Sequence, residues 1–166
     1  MQSSISSSIA PLRDAGDSRA LTPVFAAMGR ALNSTALATA GLVIKAAAST
    51  LAKTGAAAFY GLANGRLVTV AAATDMPALT GLVIAASSFN VACFFIDKAS
   101  VVTVRFGAAG TALGAVTFPD FPLNQALVGF VLITHSAIFT GGTTALDTAT
   151  TVYFSPTGAV DPSIVN

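Results

Sequence analysis

The sequence predicts an all-β fold, a compact antiparallel β-sandwich or barrel with an extended N-terminal arm, on three observations. From about residue 33 the chain consists of short apolar runs separated by turn residues, the pattern of many short strands. An Asn64-Gly65 pair stands between two β-type runs, where a type I′ turn needs positive φ at both central positions. Helix signals are confined to three short stretches, 24–32, 74–79 and 144–149, too brief to build a helical layer. The expected organisation is an arm over residues 1–32, a β domain over 33–155 and an irregular tail over 156–166.

The elements follow in order. Residues 1–32 are Ser-rich at first, then carry Pro11, a mixture of Arg and Asp, and Pro23. Their apolar residues keep neither a strand nor a helix period, so the segment reads as an extended arm. Its opening Met1-Gln2-Ser3-Ser4-Ile5 lacks the basic and apolar regions of a secretory signal. Gly41-Leu42-Val43-Ile44-Lys45-Ala46 is strand-like. The runs around Tyr60 and Val68 flank Asn64-Gly65 as a hairpin. A second hairpin turns at 97–100, after which Val102, Val104 and Phe106 share one face and Thr103 and Arg105 the other. Residues 107–114 read as a flexible Gly/Ala connection, and 119–122 as a loop with two prolines. The run 126–134 is largely apolar, and its β-branched and aromatic content suggests a central strand buried on both faces. Residues 139–144 form a turn, and 150–154 the last strand.

Charge is scarce. Only 9% of the 166 residues are charged and the formal net charge is +1, against about 25% charged in an average domain. The cations are scattered singly, so no basic face is available for nucleic acid. A membrane span deserves consideration because 76–96 carries no charge and reaches the roughly 20 residues a bilayer requires. Its centre, Ala85-Ala86-Ser87-Ser88-Phe89-Asn90, is a poor lipid-facing surface, and Asp75 and Asp97 flank it in place of Lys or Arg. No membrane partner is expected.

Candidate chemistry is equally thin. The single cysteine, Cys93, excludes an internal disulfide and a multi-cysteine metal site and reads as a buried thiol in a strand. The single histidine, His135, follows the run at Thr134, with no Gly-x-Ser-x-Gly elbow to mark a nucleophile. Asp75, Asp97, Asp120 and Asp147 occupy turn-like contexts in which Asp bonds its own backbone. The stretch 107–114 lacks the Gly-Lys-Ser/Thr ending of a phosphate loop. The expectation is therefore no catalytic residues, no metal and no cofactor, hence a non-enzymatic structural protein. A surface poor in Lys and Glu is easily desolvated, which suits assembly between copies.

Leu127-Val128-Gly129-Phe130-Val131-Leu132-Ile133, followed by Phe139-Thr140-Gly141-Gly142-Thr143-Thr144-Ala145-Leu146-Asp147, resembles the C-terminal part of small structural proteins of tailed bacteriophages. Gly41 to Lys45, Tyr60 to Gly65 and Phe118-Pro119 fit the same pattern, so the resemblance covers about residues 35–155. The chain is similar to capsid decoration, or cement, proteins. The resemblance implies a virion protein on the outer surface of the capsid, bound to the major capsid protein, often as a homotrimer. It supplies no site residues. From composition alone, the arm residues Ile5, Leu12, Arg13, Arg19, Leu21, Val24 and Phe25 are the candidates for capsid contact. The alternatives are a fibre or receptor-binding component of the virion, weakened by the absence of Trp and the presence of only two Tyr, and a small membrane protein.

Overall fold

A computed structural model describes residues 33–158. The expected arm, 1–32, and the last eight residues lie outside the described residues. The fold is all-β. Among the described residues eleven strands run in the order β1 (Thr35–Ala36), β2 (Val43–Ile44), β3 (Ala52–Lys53), β4 (Phe59–Ala63), β5 (Arg66–Val70), β6 (Val83–Ile84), β7 (Phe89–Ile96), β8 (Val102–Phe106), β9 (Ala126–Thr134), β10 (Phe139–Thr140) and β11 (Thr150–Phe154). They form a four-stranded sheet ordered β11-β9-β7-β8, a three-stranded sheet ordered β1-β4-β5, and the pairs β6-β10 and β2-β3. All these pairings are antiparallel. The sheets pack face to face in the manner of a sandwich, and none of those described closes into a barrel.

The two expected hairpins are present. Between β4 and β5, Asn64 and Gly65 adopt φ of 53° and 73°, and Ala63 pairs Arg66 directly. The β7–β8 turn closes through Ser100 N–H donating to Asp97 O at 3.0 Å, with Ser100 at φ 62°. This is a type I turn followed by one left-handed residue, the three-residue hairpin that matches strand twist. Asp97 fixes it by accepting from the N–H groups of Ala99 and Val101 at 2.8 and 3.0 Å.

The main core lies between the sheets. Phe59, Ala63, Val68 and Val70 from the three-stranded sheet meet Ala92, Phe94, Ile96, Val128, Val131 and Ile133 from the four-stranded one. Val102, Val104 and Phe106 pack against the same core while Arg105 stays exposed, so the alternation read in β8 holds. The short pair β6-β10 contributes Ile84 and Phe139.

The run 126–134 is indeed a central strand covered on both faces. Its alternation changes phase, because Ala126 and Val128 face the main core and so do Val131 and Ile133. The cause is a bulge: Phe94 pairs Gly129 but Phe95 pairs Leu127, leaving Val128 as an extra residue. A one-residue insertion shifts every following side chain to the opposite face. Gly129 permits it. A Cβ there would stand 2.5 Å from Phe154 O and 2.6 Å from Leu42 Cδ1.

Three expectations require correction. Residues 74–79 form no helical turn, because Asp75 instead bridges to Lys53 and pairs its carboxylate with Lys45 Nζ at 2.6 Å. Residues 144–149 make hydrogen-bonded turns rather than a helix. The connection 107–114 is tied down: Phe89 and Gly110 exchange both backbone bonds at 2.8 and 3.0 Å, and Ala108 and Thr117 do so at 3.0 and 3.3 Å. Gly107 lets this segment approach, since a Cβ would stand 2.1 Å from Thr117 O.

No described helix is long and apolar enough to cross a membrane. The uncharged stretch 76–96 instead contributes β6 and β7.

Candidate functional site

The far face of the four-stranded sheet carries a second core. Val91, Cys93 and Phe95 of β7 and Leu127 of β9 point away from the main core and are covered by Val116, Phe118 and Phe121 of the segment after β8. Four aromatic contacts run across this face. Phe95 meets Phe121 edge-on at 5.1 Å, Phe121 meets Phe118 at 6.1 Å, and Phe118 meets Phe130 at 5.1 Å. Phe130 then stacks on Phe154 at 4.7 Å and 19°. Edge and offset arrangements of this kind add about 0.5–1.5 kcal/mol per pair beyond the area they bury.

The series runs from interior to surface. Phe95 is fully buried, whereas Phe154 is 42% exposed on the edge strand β11. At its outer end the sheet and the roofing segment part to leave a cleft of about 330 Å³. Val91, Phe130, Leu132 and Phe154 form its floor, and Leu113, Gly114, Val116 and Phe118 its wall. A 3-10 turn, Leu113–Ala115, holds the rim, with Leu113 58% exposed. The lining carries no ionisable side chain. Such a cleft can take up an apolar group, with shape and ring stacking in place of hydrogen bonds.

The reactive side chains are occupied elsewhere. Cys93 is fully buried in the second core, and burial pushes its thiol well above the ordinary range, so it holds its proton and is a poor nucleophile. His135 lies beside a shallow hollow of about 300 Å³ with Ser87, Thr134, Ser136 and Thr150. Its Nδ1 sits 3.1 Å from both the N and the O of Ala137, so its own turn holds the ring in either tautomer. Asp97 serves its own turn, as expected. Asp147 differs, because its carboxylate accepts from Ala48 N–H at 2.7 Å across the fold and pins a loop whose residue 48 has positive φ. Asp120 is exposed. Among the described residues no group of three or more His, Cys, Asp or Glu is placed to hold a metal.

The capsid-contact candidates Ile5, Leu12, Arg13, Arg19, Leu21, Val24 and Phe25 all lie outside the described residues. The cleft was not anticipated from the sequence. Its signal was available in Phe118-Pro119-Asp120-Phe121, since two aromatic residues in a proline-rich connection have to bury their rings against something.

A second apolar surface lies on the outer face of the three-stranded sheet. Tyr60 and Leu67 are exposed there, with Leu67 at 60%, and Leu62 is directly opposite Leu67. Leu37, which follows β1, is exposed as well. No family model, curated protein or solved structure matches this chain.

Proposed function

We propose that this chain is a structural virion protein, a capsid decoration or cement protein that binds the outside of a phage head and stabilises its shell. The supporting observation is the surface. Large apolar side chains stand exposed on several faces, among them Leu37, Leu67, Val83, Leu113, Ile138 and Phe154, while the chain carries few charges to keep them apart from neighbours. Extensive apolar exposure of this kind marks surfaces that become covered on assembly. The described fold adds an open sandwich whose edge strand β11, Thr150–Phe154, contains neither charge nor proline, the two usual safeguards against strand addition.

On this reading the β domain assembles with its own copies as a homotrimer, and residues 1–32 lie across the major capsid protein through Ile5, Leu12 and Leu21, with Arg13 and Arg19 beside them. Many weak contacts repeated over a shell would resist internal pressure without one strong site. Counting copies in purified virions against the major capsid protein tests the reading, which expects hundreds per particle. A handful would move the protein to the tail or fibre. Deleting residues 1–25 should abolish head binding, and undiminished binding would remove the role given to the arm.

A further inference from the structure

We infer that the edge strand β11 pairs with β11 of a second copy, antiparallel about a twofold axis through Val152, so that two four-stranded sheets continue as one sheet of eight strands.

The first ground is what the edge offers. β11, Thr150–Phe154, is paired along one side only, to β9. Among the described residues no other backbone group bonds to 150–154. Alternate residues of an antiparallel edge turn their N–H and C=O groups outward. The strand therefore presents a row of unmade hydrogen bonds that a further strand would satisfy.

The second ground is charge. Pairing about a twofold axis sets a strand against its own sequence, so a charged edge is brought up against like charge. The opposite edge of the same sheet, β8, exposes Arg105, and β5, an edge of the three-stranded sheet, exposes Arg66. The other edge of that sheet, β1, has two residues, and its Ala36 already bonds Gly158. Of these four edges β11 alone combines five residues with no charge. The partner it matches is a second β11, equal in length and equally uncharged.

The third ground is register. Only a register centred on Val152 pairs all five residues of both strands. It sets Val152 opposite Val152, and Phe154 of each copy opposite Thr150 of the other. Thr150, Val152 and Phe154 share the face of the second core, since they stand opposite Thr134, Leu132 and Phe130 of β9. Val152 is 43% and Phe154 42% exposed, so the pairing covers two apolar side chains per copy. Thr150 also walls the hollow of about 300 Å³ that holds Phe89 and His135. Residues directly opposite have Cβ atoms about 4.5–5.5 Å apart. The Phe154 ring of each copy is thereby brought to the hollow of the other, where the half-buried Phe89 can meet it. A slip of one residue would put the two second cores on opposite faces of the joined sheet and carry Phe154 away from the hollow.

This pairing names the partner of an edge that the capsid reading leaves open. The homotrimer contact of that reading falls to other faces, and the twofold pairing then joins one trimer to another. It is tested on purified full-length protein without heads, so a failure to bind heads leaves it untouched. Val152→Cys sets two thiols opposite each other at the axis, within the Cα separation of about 4.4–6.8 Å that a disulfide spans. Thr150→Cys, on the same strand and face, sets them about 13 Å apart along the strand, beyond that reach. Cys93 is fully buried and does not compete. Mild oxidation should link Val152→Cys chains into dimers at least about tenfold faster than Thr150→Cys chains, the gain that a preferred juxtaposition gives over random encounter. Equal rates, or faster linking through Thr150→Cys, would overturn the inference. Val152→Lys gives an independent reading, because it opposes two like charges at the axis. Its native mass by light scattering, followed through a dilution series, should be about half that of the wild-type chain at concentrations where the wild type pairs. A wild-type chain whose mass equals that of Val152→Lys at every concentration would also sink the proposal.

Discussion

Gly129 is the residue on which the two cores depend. It sits at the bulge with Leu42 and the Phe154 carbonyl against its Cα, so Gly129→Ala forces either the ladder to β11 or the Leu42 contact apart. The expected cost is about 3 kcal/mol, the upper range for overpacking a filled interior, read from denaturant unfolding. Cys93 makes a pH-dependent contribution. Burial raises its folded-state value above the ordinary 9.0, so the folded protein retains a proton that the unfolded chain releases. The thiol's contribution is therefore constant below about pH 8 and falls as pH rises past the unfolded thiol's value, by about 1.4 kcal/mol per pH unit. Cys93→Ala should flatten that decline between pH 9 and 10 while costing some stability at pH 7. Burial also pushes the Tyr153 phenol up, which steepens the decline above its ordinary 10.0 in both proteins.

At the scale of elements, the hairpins were legible because their turns depend on local backbone geometry. Asn64-Gly65 demands left-handed φ at two successive residues whatever the rest of the fold does. Gly65→Val should cost about 1–2 kcal/mol, the penalty for a side chain in the left-handed region, with the loss visible in thermal unfolding. The strand at 126–134 was legible because a strand covered on both faces must be apolar throughout. Its bulge was not, because uniform apolarity erases the alternation that would have shown the phase change at Val128. The 107–114 connection was misread for a related reason. Glycines that allow close approach of two backbones look, in sequence, the same as glycines that loosen a linker. The cleft stayed hidden because Val91, Val116, Phe130 and Phe154 come from four separate segments.

For the whole molecule, the described fold relies on burial rather than charge. The ion pair between Lys45 and Asp75 is about half exposed at both ends, 44% and 43%, and such pairs contribute about 0–1 kcal/mol. Raising NaCl from about 0.05 to about 0.5 M, which shortens the Debye length roughly threefold, should therefore change unfolding free energy by less than about 1 kcal/mol. A larger loss would reveal an electrostatic contribution that the described residues do not carry. The same scarcity of charge leaves the outer sheet face and the cleft rim open to apolar partners.

The bridge between Ala36 and Gly158 has a mechanical consequence. It sets Ala36 and Gly158 side by side and antiparallel, near the Asn64-Gly65 turn, so the described chain enters and leaves at one pole. Tension applied through those ends does not shear the sandwich along its strands. It peels hydrogen bonds from that pole in succession, beginning with the two between Ala36 and Gly158.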